Sequence, residues 1–302
     1  TQAFVNNIWW PIFLTTFVGL LLFGLAFYLS SLRDLDAGFI AVKPGKEKAS
    51  KYLNSPFALA IKISKTLIFG WLIAVFILGI SYGSIFGDVE MFLESNDIYQ
   101  QILPNIPGVS LTEQFLGVII VVCAIASTIP GLLAILKLNS EEKKKRLEVI
   151  LSTETPRYKI ITHYLILAFL LTFISLLFTG IGLWLAIYSV MENPIALGTI
   201  IQGVLLFLPA SLVMIGLATT LIGHLPKLAN ITWYYLIIAF FFVYLGNLLN
   251  LPEWIINLSV FAYIPQVPIE SINYFTLTVL TLLSLSLISY GVYGYQKRDI
   301  QV

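Results

Sequence analysis

Apolar residues in this chain gather in long blocks at about 9–30, 66–87, 114–136, 160–190, 195–223, 231–250 and 271–294. Each block is apolar all round and lacks the one-sided stripe of a surface helix on a soluble protein. A helix rising about 1.5 Å per residue needs about 20 residues to cross roughly 30 Å of hydrocarbon. The pattern therefore predicts an all-α polytopic membrane protein of about seven transmembrane helices. Block 160–190 exceeds a straight crossing, so it must tilt, kink near Gly180 and Gly182, or run beyond the hydrocarbon. Trp9 to Ser30 has neither a basic n-region nor a small-residue cleavage site, so it reads as a span and not a signal peptide.

Between the blocks, Ser55-Pro56 suits an N-cap followed by an N1 proline. It predicts a short amphipathic helix carrying Phe57, Ala60, Ile61 and Ser64 along the inner membrane surface. Residues 88–112 read as a solvated external loop. In 251–270 the apolar run is interrupted by Pro252, Pro265 and Pro268, which predicts external interfacial or re-entrant helices over about 251–269.

A weak repeat accompanies these elements: one span is followed by Ser-Leu-Arg33-Asp34-Leu35 and another by Gln-Lys-Arg298-Asp299-Ile300. It suggests that 1–31 is the last transmembrane helix of a preceding half, 32–65 a cytoplasmic linker with its interfacial helix, and 66–302 one six-span unit. With that half upstream, the intact product is expected to exceed about 500 residues, two such units.

Composition removes the soluble alternative. Of 302 residues 58% are hydrophobic and 11% charged, whereas a soluble domain is about a quarter charged. The net charge of +1 excludes a broadly basic nucleic-acid binder. Placement says more than the sum: with alternate loops on opposite sides, all 17 Lys and Arg fall on one face. Of the acids, Asp88, Glu90, Glu94, Asp97, Glu113, Glu192, Glu253 and Glu270 lie opposite. The positive-inside rule then puts Thr1 outside the plasma membrane and Val302 in the cytoplasm. Cys123 is the single cysteine and excludes an internal disulfide or a cysteine-built metal site.

No P-loop, GxGxxG, HExxH or CxxC occurs, so no catalytic, cofactor-binding or metal-binding residue is assigned. His163 and His224 fall near cytoplasmic span ends and read as interfacial. Span interiors contain no Asp, Glu, Lys or Arg, the groups that proton- or ion-coupled transport requires. Uncharged polar residues do occur there, among them Ser127, Thr128, Tyr234, Tyr235, Tyr244 and Asn247. They read either as helix-packing and interfacial groups or as the lining of a pathway for an amphipathic substrate. Pro130 and Pro209 are candidate hinges.

Segment 139–151 carries the most information. Asn139 or Ser140 can cap a helix, Glu141 and Glu142 suit its positive end, and Leu147, Ile150 and Leu151 form a stripe. A cytoplasmic amphipathic helix over about 140–151, ended before Pro156, is predicted; a solvated basic loop is the plainer reading.

At this point the chain resembles the permease subunits of ABC-2 type exporters, whose order is a span, an external loop, a second span, a coupling helix and four more spans. The coupling motif stands here as Glu141-Glu142, Arg146-Leu147-Glu148, Leu151 and Arg157, with Lys145 where such permeases often have glycine, and Ile150 joins these as a coupling residue. A narrower resemblance, to the C-terminal half of the tetronasin-resistance or polyketide-antibiotic exporter permeases, lies in Arg33-Asp34-Leu35-Asp36-Ala37-Gly38, Lys43-Pro44-Gly45 and Ser55-Pro56-Phe57-Ala58-Leu59-Ala60. Asp36 departs from a usual glycine.

The resemblance implies a type V exporter-like fold and a non-catalytic permease that exports an antibiotic-like amphiphile. Energy would come from two copies of a cytoplasmic ABC ATPase, which would hold ATP and Mg while this chain holds no cofactor. A second six-span half and the bilayer are the other implied partners, and nucleic acid is not one. The competing readings are a secondary transporter or channel not driven by ATP, and a lipid-modifying membrane enzyme. The enzyme would need a charged catalytic group at membrane depth, and none is seen.

Overall fold

A computed structural model describes residues 9–31, 55–88, 109–146, 156–246 and 248–298. All its regular elements among these residues are helical. The chain divides into Thr1–Ser50 and Lys51–Val302. The first unit contributes α1, Trp10–Ser31, a 22-residue apolar helix long enough to cross a membrane.

The second unit begins with α2, Pro56–Gly83, continued by a 3-10 turn at Ser84–Asp88. Ser55 Oγ accepts the Ala58 N–H at 3.1 Å and Pro56 occupies N1, as the sequence suggests. The separate short helix expected over 55–65 is not formed. No proline follows Pro56 within α2, so one continuous helix carries the segment into the span. The helix α3, Leu111–Lys143, starts with a full capping box in which Ser110 and Glu113 satisfy each other's backbone N–H groups. It is the centre of the unit: 78% of its most apolar window is buried, against 17% for α2.

Next comes α4, Arg157–Val190, unbroken through Gly180 and Gly182. Its 34 residues span about 51 Å at 1.5 Å each. The excess length is thus not taken up by a break in the helix. Block 195–223 becomes two helices, α5 (Leu197–Leu205) and α6 (Leu208–His224). Pro209 lies at the start of α6 and has no N–H to continue the ladder from α5.

The block expected to cross over 231–250 is shorter in the structure, where α7 covers Ile231–Leu245. At roughly 22 Å it is less than a full crossing. Asn250 then turns the chain with a left-handed φ of 49°. The short helix α8, Glu253–Ile256, and a 3-10 turn at Val260–Tyr263 come next. Tyr235, one turn into α7, donates its hydroxyl to Leu258 O at 2.9 Å and accepts the Val260 N–H, folding the segment back along α7. The final helix, α9, is Tyr274–Lys297.

Among the described residues six stretches are long and apolar enough to cross a membrane, α5 and α6 counting together, and α7 is a shorter apolar helix. The predicted all-α polytopic membrane fold is therefore found. Small residues set the closest approaches. A side chain at Gly223 would meet the backbone of Gly291, and one at Gly291 would meet that of Thr219, so α6 and α9 touch backbone to backbone.

Candidate functional site

At one end of the second unit, the end of α3, the start of α4, the end of α6 and the end of α9 converge around charged residues. Glu141 and Glu142 occupy the last turn of α3. The helix stops there because Lys145 takes a left-handed φ of 58°. Its N–H then reaches Glu142 O at 2.9 Å while the Arg146 N–H reaches Glu141 O at 3.1 Å. These two bonds form a Schellman motif, which normally places glycine where Lys145 stands. Asn139 and Ser140 lie inside α3 and cap nothing, so 140–151 is not one helix. The stripe Leu147, Ile150 and Leu151, with Glu148, lies outside the described residues.

Glu141 is buried, with Lys137 Nζ 3.5 Å from one carboxylate oxygen and Arg146 NH1 3.4 Å from the other. Glu142 pairs with Arg298 NH2 in a site where their side chains are 12% and 15% exposed. Arg298 NH1 donates to Ile222 O at the end of α6, at 2.8 Å. Arg157, at the start of α4, donates to Arg298 O at 2.8 Å. The Arg298 guanidinium also sits 5.4 Å from the ring of buried Tyr295. Asn139 Nδ2 adds a bond to Pro226 O at 3.0 Å. Arg298 is thus the hub of four helix ends.

Of the residues singled out in the sequence, this brings together Glu141, Glu142, Arg146 and Arg157. Arg298 and Asn139 were not among the site residues; the repeat of an Arg-Asp pair after a span was the signal for Arg298. The opposite end carries Glu113 and Glu270, joined to local backbone and capping partners.

The candidate pathway residues fall into separate groups. Ser127 and Thr128 are fully buried; Ser127 Oγ lies 2.8 Å from Thr179 Oγ1 of α4, and Thr128 Oγ1 2.7 Å from Ser211 Oγ of α6. These hydroxyls fasten α3 to its neighbours. On α7, Tyr234 is 68% exposed, Tyr244 stacks on Phe240, and Tyr235 holds the 258–260 backbone. Asn247 lies outside the described residues. Among the described residues no group of His, Cys, Asp and Glu has the arrangement of a metal site.

A family model described as the multidrug efflux system permease Rv1217c, C-terminal domain, matches residues 53–296. The chain is 26% identical over 303 aligned residues to the multidrug efflux system permease protein Rv1217c of Mycobacterium tuberculosis (strain ATCC 25618 / H37Rv). That similarity covers 99% of this chain and 55% of the relative. This chain thus spans about half the length of the curated relative it matches.

Proposed function

The chain belongs to the family of the C-terminal domain of the multidrug efflux system permease Rv1217c and is an ABC-2 type permease, and on that premise we propose that it is the membrane-spanning part of an ATP-driven drug exporter. A separate cytoplasmic ATPase, in two copies, binds ATP and Mg, and a second six-span half completes the pathway. The basic end of the bundle faces the cytoplasm. The cargo is a hydrophobic or amphipathic drug-like compound, like the cargo class named for the relative.

The observation that most supports this reading is the Arg298 hub. The segment after Arg146 leaves from a turn preceded by Glu141-Glu142, of which Glu142 is held by Arg298 at the end of α9, itself bonded to α6, and it returns at Arg157, also bound to the hub. A partner pressing on 147–155 would therefore act on four helix ends together, a mechanical route from ATPase closure to the spans. Glu141, Glu142, Arg146, Leu147, Glu148, Ile150, Leu151 and Arg157 form the coupling region in this proposal. Tyr234, Tyr244 and Asn247 are the pathway candidates it retains, with Ser127, Thr128 and Tyr235 assigned to packing.

Transport by the full-length permease reconstituted with its ATPase tests this reading. Export should persist when an uncoupler collapses the proton gradient and stop when ATP is withdrawn. The reverse dependence would identify a secondary transporter.

A further inference from the structure

A cleft of about 560 Å³ opens beside the hub, lined by Glu142, Lys143, His224, Lys227, Leu228 and Arg298 among others. Among the described residues its charges do not cancel: Glu142 is matched by Arg298, whereas neither Lys143 nor Lys227 has a carboxylate partner there. Arg298 uses both terminal nitrogens, on Ile222 O and Glu142, so the cations left for a ligand among the described lining residues are Lys143 and Lys227.

A phosphate group supplies oxygens for the unmatched ammoniums. The apolar rim decides the source of that phosphate. Leu225 and Leu228, which also line the cleft, are 53% and 45% exposed where the apolar helix α6 ends, a position suited to acyl chains and not to a soluble anion.

We propose that this cleft binds the phosphate headgroup of an anionic glycerophospholipid, with Lys143 and Lys227 on the phosphate. The site does not depend on the export reading, and it would hold in a permease driven by any energy source.

The probe is phosphatidylglycerol offered against phosphatidylcholine to the intact, delipidated transporter, with retained lipid read by native mass spectrometry. The wild type should keep phosphatidylglycerol preferentially. Retention should fall about fivefold for each of Lys143→Gln and Lys227→Gln. Lys159→Gln, at a position that does not line the cleft, serves as the control and should change nothing. Equal retention by the double variant and wild type would overturn the site. Displacement of the lipid by inorganic phosphate at equal concentration would overturn the lipid as its occupant, and an unaltered gel-filtration profile of the double variant excludes misfolding as the cause of a loss.

Discussion

Glu142 and Arg298 lie 156 positions apart in sequence and form an ion pair that ties the last turn of α3 to the end of α9. The pair is mostly buried and sits among further bonds from Arg298 to Ile222 O and from Arg157 to Arg298 O. Removing one partner leaves the other charged and poorly solvated, whereas removing both does not. Arg298→Ala should therefore lower the unfolding free energy of the solubilised protein by about 3–5 kcal/mol. Glu142→Gln combined with Arg298→Met should recover most of that loss. Denaturant unfolding of the single and double variants checks it; additive losses would contradict an interacting pair.

Lys145 should respond in the opposite direction. It holds a left-handed backbone at the C′ position of α3, a conformation costing a residue with a side chain about 1–2 kcal/mol. Lys145→Gly should raise stability by about 1 kcal/mol, and Lys145→Val should lower it. A loss on Lys145→Gly, read from the same unfolding curves, would mean that the turn is held by something else.

The close crossing of α6 and α9 gives a third expectation. Because side chains at Gly223 and Gly291 would run into backbone atoms of the facing helix, neither position has room for a larger residue. Gly291→Val should separate α6 from α9 and abolish recovery of monodisperse protein, while the same change at Gly70, which has open space, should be tolerated. Size-exclusion profiles of the two variants distinguish them.

The hydroxyl pairs should prove structural. Thr179→Val, which removes the partner of Ser127 across α3 and α4, should cost about 0.6 kcal/mol and leave the order of drug preference unchanged. Tyr234→Ala, at an exposed position on α7, should reorder it. Export assays with several drugs decide the matter, and a reordered preference in Thr179→Val would return the hydroxyls to the pathway.

These outcomes bear on how much of the molecule was legible in the sequence. The all-α membrane fold was readable because a helix facing lipid must be apolar all round and must have a minimum length, and both constraints appear directly in local composition. Ser55-Pro56 was readable as a helix start for an equally local reason. The course of the chain beyond Pro56 was not readable: whether α2 pauses at residue 65 or runs on depends on packing, since no breaker marks the spot. The end of α3 was not readable either. A left-handed lysine at 145 is chosen against local preference, so a pattern reader carries the helix past it to 151. Glu142 and Arg157 stood out as candidate residues because their motif is local. Their meeting at Arg298 is a long-range contact across four helix ends, and only the faint Arg-Asp repeat hinted at it.

In the proposed coupling, the segment after Arg146, which follows the Glu142–Arg298 hub, receives the motion of a partner ATPase. An apolar anchor at an interface commonly matters by about 2 kcal/mol or more, and an exposed charge by about 0–1 kcal/mol. Drug-stimulated ATP hydrolysis by the full-length permease co-purified with its ATPase measures this most directly. Ile150→Asp or Leu147→Ala should reduce co-purification and uncouple hydrolysis from drug with membrane insertion intact, and Lys144→Ala should leave both at wild-type levels. Wild-type co-purification and drug stimulation in Ile150→Asp would contradict the account and leave the segment a solvated basic loop.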